Sequence, residues 1–392
     1  MTVFVGHLGR RRAAGATLVL ALASLAGCSV FQVEQPDGSA EPAKPSYAEP
    51  VATHSFPYDP KTTGVVGTLQ ATVANQEDTL SDIARRYNLG YDEVLNANPG
   101  VDPWLPKAGT RIVLPTQFIL PDAPHDGVVV NLAALRLFYF PKPEQKDGPR
   151  VVMTMPIGIG MVGWATPTGT TKITSKRKDP YWTPPASVRK EHAAEGDILP
   201  PRVPPGPDNP LGAFAMNLGW PSYLMHGTNK PAGVGMRASH GCIRLYPEDI
   251  ATIFPMLPVG TKVTVVNQPT LHRIQDGRLF VQSFPPHEEH PEAQAAAKGE
   301  RFNKPLQAKI AQRAQQAGLQ VDWTLVEQVV SGAQGIAVPV SQPSFGLDPY
   351  VASALLVENA IPDGANWDGT ERPVPIRSNP IAPAPVVAAG GE

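Results

Sequence analysis

The sequence predicts a mainly β protein. A β-sandwich or barrel domain covers residues 126–267, a small strand–helix–helix–strand module covers 69–115, and an α-containing extension follows. Three observations predict it. Between 126 and 267, short runs rich in β-branched and aromatic residues are punctuated by Gly, Pro, Asn and Asp. From 69 to 115 the apolar spacing passes from alternation to helical spacing and back. After 300, two stretches carry a helical period and no strand signal.

The chain has 392 residues, a formal net charge of −2 and 45 prolines. The length suits two or three domains. A near-neutral balance offers no basic face for nucleic acid, so no nucleic-acid partner is expected. The prolines gather at the two ends and in one internal stretch, which marks linkers, a tail and a stiff loop.

The N-terminus reads as a targeting segment. Arg10, Arg11 and Arg12 precede an uncharged apolar run, Ala13 to Leu25, too short for a membrane span. The run ends in Leu25-Ala26-Gly27-Cys28, which resembles a bacterial lipobox. The resemblance implies a signal peptide over 1–27, cleavage before Cys28 and a lipid on its sulfur. Ser29 follows. By resemblance to Gram-negative lipoproteins, a residue other than Asp there implies a periplasmic protein held at the inner leaflet of the outer membrane. Residues 28–67 read as a Pro-rich tether, extended and not packed.

In the module, Leu69 to Val73 alternates as a strand. Asp78 or Thr79 caps a helix that carries Leu80, Ile83, Ala84 and Tyr87, and Asn88-Leu89-Gly90 stops it. A second helix spans Asp92 to Ala97, Asn98-Pro99-Gly100 turns, and Arg111 to Leu114 closes the unit. The run DTLSDIARRYNLGYDEVLNANPGVD with GTRIVLP resembles the LysM module, which implies binding of N-acetylglucosamine-containing glycan strands. The usual Gly before Asp78 is missing.

Candidate strands then run at Val128–Asn131, Arg136–Phe140, Arg150–Pro156, Thr171–Ser175, Phe214–Leu218, Tyr223–His226 and Lys262–Val266, mostly antiparallel. Only Glu248 to Met256 reads as helical. Gly158, Gly160 and Gly163 match G-x-G-x-x-G, but Trp164-Ala165-Thr166-Pro167 cannot open a helix, so the match is no dinucleotide site. These glycines instead let backbone approach backbone. No cofactor is implied. Residues 179–212, dense in proline around a short helix at 187–195, read as a wall or lid beside the site. Residues 268–332 read as a hairpin around Asp276-Gly277 followed by two helices, 304–318 and 323–331, and 333–392 as a Pro/Ala-rich stretch, either a mobile tail or a weakly ordered wrap.

Chemistry concentrates in Met225–Leu245, MHGTNKPAGVGMRASHGCIRL. The chain has two cysteines. With Cys28 lipidated, Cys242 has no disulfide partner, and an unpaired thiol in an oxidising compartment is a liability unless it reacts. The thiolate is the nucleophile, and a histidine partner supplies the base. His226 ends a strand and reaches Cys242 if 227–238 loops back to the same sheet. The backbone N–H groups of Gly241 and Cys242 then offer an oxyanion hole. His240 tunes the thiolate or supports the loop. Two other readings stay open. His226, His240 and Cys242 are a possible zinc set, as in a zinc-dependent peptidoglycan amidase, although no further carboxylate stands nearby. A non-catalytic LysM tether on the wall is the other.

HGTNKPAGVGMRASHGCIRL, with upstream PIGIGMVGWATPTGT and PPGPDNPLG, resembles the YkuD-type L,D-transpeptidases of the ErfK/YbiS group. The resemblance covers roughly 126–267 and implies a peptidoglycan transpeptidase, an enzyme that uses no metal. It implies Cys242 as nucleophile, His226 as base oriented by the carbonyl of Gly227, supporting roles for Ser239 and His240, and Arg244 at a substrate carboxylate. The implied partners are peptidoglycan stem peptides. The acyl acceptor is the amine of another stem, giving 3–3 cross-links, or the C-terminal Lys of an outer-membrane lipoprotein.

Overall fold

The computed structural model describes residues 55–143, 148–287 and 301–361. The expected signal peptide, Cys28, most of the tether and the end of the tail lie outside the described residues.

The small module forms as the spacing predicts. Strand Gln70–Val73 pairs antiparallel with Arg111–Leu114, and helices α1 (Leu80–Arg86) and α2 (Tyr91–Ala97) lie between them. Thr79 starts α1 with a reciprocal capping box. Its Oγ1 accepts from the Asp82 N–H at 3.2 Å, and Asp82 Oδ2 accepts from the Thr79 N–H at 2.8 Å. Leu80, Ile83, Ala84 and Leu89 fill the module's interior.

The larger domain is built on a curled sheet of nine strands, a half-barrel, beside which Ile159–Gly160 pairs in parallel with Arg237–Ser239. Its order is Ser55–Pro57, Val151–Pro156, Arg136–Phe140, Gly127–Asn131, Lys262–Val266, Gly169–Lys178, Phe214–Leu218, Leu224–His226 and Ile243–Arg244. Two of the pairings are parallel, Lys262–Val266 with Gly127–Asn131 and Leu224–His226 with Ile243–Arg244. The concave face holds Val128, Leu137, Met155, Met216, Met225 and Ile243 against helix α4 (Pro247–Met256), which follows α3 (Ala186–Ala194) in the chain. The other face carries Val129, Phe138, Phe140 and Val152 onto the small module. Strand Arg136–Phe140 is therefore buried on both faces, which accounts for the unbroken apolar run Leu137–Phe140.

Buried polar side chains bolt the module to this sheet. Arg136, 1% exposed, gives two hydrogen bonds to Glu93 at 2.8 Å and one to the Asn88 carbonyl at 3.0 Å. Arg85 makes a two-point pair with Glu248, and Asn88 Nδ2 donates to Asp249 at 2.7 Å.

Two expectations need correction. The tether does not run unpacked to residue 67: Ser55–Pro57 adds an edge strand against Val151–Met153, and Val65–Gly67 pairs with Gln117–Ile119. The reason is apolar burial, with Phe56 in the core and the Tyr58 ring 5.2 Å from Phe140. Nor is the stretch after 333 an unpacked tail throughout. Val338–Pro339 joins the hairpin Thr270–Gln275/Arg278–Ser283, and Leu355–Leu356 adds a parallel strand to Gln70–Val73. Ile336, Val338, Val340 and Val357 are all buried. Helices α5 (Lys304–Gln316), α6 (Trp323–Gly332) and α7 (Leu347–Ala352) complete this extension. The hairpin turn places Asp276 and Gly277 at φ 49° and 71°, the left-handed pair that two-residue turns require.

Candidate active site

Leu224–His226 and Ile243–Arg244 lie side by side, with Met225 opposite Ile243 and His226 opposite Arg244. Side chains alternate along a strand. Met225 and Ile243 thus enter the core, and Leu224, His226, Cys242 and Arg244 share the other face, where all four line one cavity of about 1240 Å³. The sequence reading placed His226 and Cys242 on a common sheet, and the parallel pairing is what brings them there.

His226 is buried, and its Nδ1 lies 2.6 Å from the carbonyl of Gly227. A carbonyl only accepts, so Nδ1 carries the proton and Nε2 is the basic atom. Burial, reinforced by the Arg244 charge, pushes the imidazolium down to about 3, so the ring is neutral. Burial also pushes the Cys242 thiol up, against a backbone hydrogen bond from Leu224 and the Arg244 charge. The resting pair is therefore thiol and neutral imidazole.

The thiol points at the carbonyl of Ser222, 3.7 Å away. Ser222 sits at φ 69°, a strained value for a residue with a Cβ, and its turn aims that carbonyl into the site. Arg244 is held through its backbone: its N–H and carbonyl both pair with Gly158 at 2.8 Å. Its Nε is buried without a hydrogen-bond partner, and burial lowers its pKa. A guanidinium so placed is ready to bind a carboxylate.

The loop bearing Cys242 is braced from within. Ser239 Oγ donates to the Cys242 carbonyl at 2.6 Å and accepts the Gly241 N–H at 3.2 Å. This corrects one expectation. The Gly241 N–H is turned to Ser239 and not to the cavity, which leaves the Cys242 N–H as the candidate oxyanion donor. Gly241 is required for another reason. It sits at φ 99°, and an added Cβ would lie 2.9 Å from the Tyr223 ring. The upstream glycine run clasps the same loop: Thr166 Oγ1 accepts from the Gly160 N–H at 3.1 Å and donates to the Gly241 carbonyl at 2.9 Å. A Cβ on Gly160 would meet the Trp164 carbonyl at 1.7 Å, so backbone does approach backbone there.

His240 turns away from Cys242 toward the proline-rich insertion. Its Nε2 lies 3.2 Å from Glu191 on α3, and its ring stands edge-on to Trp164 with centroids 4.9 Å apart. His226 and His240 thus face different partners, and the described residues contain no group of three His, Cys, Asp or Glu arranged to hold a metal ion. The insertion walls the cavity through Tyr181, Trp182 and Val188. Sequence reasoning missed Ser222, Thr166, Trp164 and Glu191. Only Trp164 and Thr166 left a signal, their place in the WATPTGT run.

Comparison with known proteins follows this geometry. Residues 125–265 match the L,D-transpeptidase catalytic domain model, and residues 73–115 match the LysM domain model. The probable L,D-transpeptidase YcfS of Escherichia coli is 44% identical over 227 residues, 57% of this chain and 69% of that one. The probable L,D-transpeptidase ErfK/SrfK of Salmonella typhimurium is 39% identical over 298 residues, 75% of this chain and 93% of that one. A crystal structure of an L,D-transpeptidase from Stackebrandtia nassauensis aligns over 38% of this chain and 60% of its own, at 23% identity and a TM-score of 0.26. With a relative 39% identical over 93% of its own length, the chain belongs to the L,D-transpeptidase family and is an enzyme of that kind.

Proposed function

We propose that the chain cleaves the bond between diaminopimelate at position 3 and D-Ala at position 4 of a peptidoglycan stem, and passes the acyl group to an amine. Cys242 attacks the diaminopimelate carbonyl as His226 Nε2 takes its proton. A C–S bond forms and the C–N bond breaks. The proton goes from His226 to the departing D-Ala amine. An acceptor amine then attacks the thioester, and the sulfur leaves and regains its proton. The Cys242 N–H steadies the tetrahedral oxygen. The Arg244 guanidinium takes a carboxylate of the stem.

The observation that supports this reading is the placement of Cys242, His226 and Arg244 on one sheet face in one cavity, with the His226 tautomer set by Gly227. The acceptor is the amine of another stem or the C-terminal Lys of an outer-membrane lipoprotein, with the enzyme anchored to the same membrane through a lipid on Cys28. The test is mass spectrometry of the full chain after incubation with tetrapeptide stems, beside Cys242→Ala. The expected adduct equals the stem less D-Ala and is absent from the variant. Folded wild-type protein with a reduced thiol, no adduct and no released D-Ala would overturn the reading.

A further inference from the structure

His226 and Arg244 belong to a row of side chains that crosses four adjacent strands. From Gly169–Lys178 to Ile243–Arg244, Arg177 stands opposite Ala215, Ala215 opposite His226, and His226 opposite Arg244. Residues directly opposite in a sheet carry their side chains on one face. The four therefore face the same way, and all four line the cavity that holds the thiol. Neighbouring strands lie about 4.8 Å apart, so the backbones of the two arginines stand roughly 14 Å apart, with His226 between them.

A bulge turns Arg177 toward this face. Ile173 pairs with Leu218 and both are buried in the core, yet the next pair is Ser175 with Asn217. The extra residue, Thr174, shifts the alternation by one. Without it Arg177 would share the face of Ile173 and point to the core side. Among the described residues no hydrogen bond or ion pair engages its guanidinium, and Arg177 is exposed where it lines the cavity. Ala215 stands between Arg177 and His226, and its methyl side chain leaves that stretch of the row open.

Proton delivery sets the direction in which a stem lies. His226 Nε2 must reach the amine of the departing residue, so that residue lies beside His226. The acyl part stays on Cys242, which adjoins the strand of Arg244. The departing residue therefore leads away from that strand, over Ala215 toward Arg177. We propose that Arg177 binds the terminal carboxylate of the departing D-Ala and so is a specificity-determining residue for stems that end at position 4, a role that rests on the function proposed above. An arginine fork meets a carboxylate through two parallel hydrogen bonds. In a longer stem the same carboxyl is tied up in an amide and offers the fork no charge. Arg244 then serves a carboxylate that remains on the acyl part.

The experiment compares kcat/KM for release of residue 4 by the full chain from two tetrapeptide stems. One has a free terminal carboxylate, and in the other that carboxyl alone is a carboxamide. The wild type is expected to favour the free acid by about tenfold, as a charged hydrogen bond implies. Arg177→Gln is expected to bring the ratio close to one, and Arg177→Lys to keep most of it. A wild-type ratio near one, or a ratio unchanged in Arg177→Gln, overturns the assignment. A third stem, amidated only on the diaminopimelate side chain, should slow the wild type and Arg177→Gln alike. Slowing confined to the wild type would give Arg177 that carboxylate instead and overturn the assignment too. Because each readout is a ratio, a general loss of folded protein cancels from it. Release from no stem by the wild type sinks the parent reading.

Discussion

Arg136 and Glu93 meet through two hydrogen bonds of 2.8 Å, in a place where the arginine is 1% exposed and its guanidinium lies 4.1 Å from the Phe118 ring centroid. They belong to different modules, so the pair fixes one to the other. Removing one partner of a buried ion pair leaves an uncompensated charge and costs about 3–5 kcal/mol. Glu93→Gln is expected to lower unfolding stability by that amount in urea titration. Arg136→Met with Glu93→Leu is expected to recover most of it. If the single variant unfolds like the wild type, the pair does not carry the junction.

The thiol and imidazole of the site start uncharged. Alkylation of Cys242 by iodoacetamide is expected to climb only as pH rises past the ordinary thiol value of 9.0, because burial pushes that thiol up. An imidazolium–thiolate pair would instead give a plateau near neutral pH. The His226 ring, held neutral down to about 3, adds no step near the ordinary histidine value. A plateau between pH 6 and 7 would refute the uncharged resting pair.

Arg244 offers a buried guanidinium to a carboxylate. A hydrogen bond to a charged group is worth about 1.5–3 kcal/mol, or roughly 10–100-fold in binding. Arg244→Gln is expected to reduce kcat/KM by that factor on stems with free carboxylates. The loss should shrink on amidated stems. Equal losses on both would show that Arg244 shapes the loop and reads no charge.

Asp92 lies in the first turn of α2, at the junction with the reactive loop. Burial first, then the neighbouring Glu93, raise its pKa from 3.8 to about 6, against the Arg237 charge. The folded state therefore holds this proton more tightly than the unfolded chain does. The stabilisation is full below pH 4 and is lost as pH rises through about 6. Asp92→Asn is expected to raise stability at pH 7.5 by something on the order of 1 kcal/mol and to flatten the fall between pH 4 and 6. A Tm difference that is the same at pH 4 and 7.5 would contradict this.

Much of the architecture was legible because it is written in local pattern. The helix start at Asp78 or Thr79, the Asp276-Gly277 turn and the apolar run Leu137–Phe140 each announce their own structure. So does the Ser239-His240-Gly241-Cys242 block with its upstream His226. What stayed hidden depends on pairs far apart in sequence. Arg85, Glu93, Arg136 and Glu248 look like solvated charges until the fold pairs them across the junction. The turn of the Gly241 N–H toward Ser239, and of His240 toward Glu191, likewise follows from loop geometry that no spacing encodes. The strands Ser55–Pro57 and Leu355–Leu356 are three and two residues long, too short to show an alternating pattern.

The last of these strands imposes an order on synthesis and folding. Thr72 Oγ1 donates to the Val357 carbonyl, a partner 285 positions downstream. The small module, made early on the ribosome, thus waits, with one sheet edge open, for nearly the whole chain to follow. Contacts so distant in sequence form late and slow folding, and an open edge invites pairing with another molecule in the meantime. A holding chaperone that covers that edge until residue 357 arrives would suppress such pairing, and a chain cut after 332 would need it permanently.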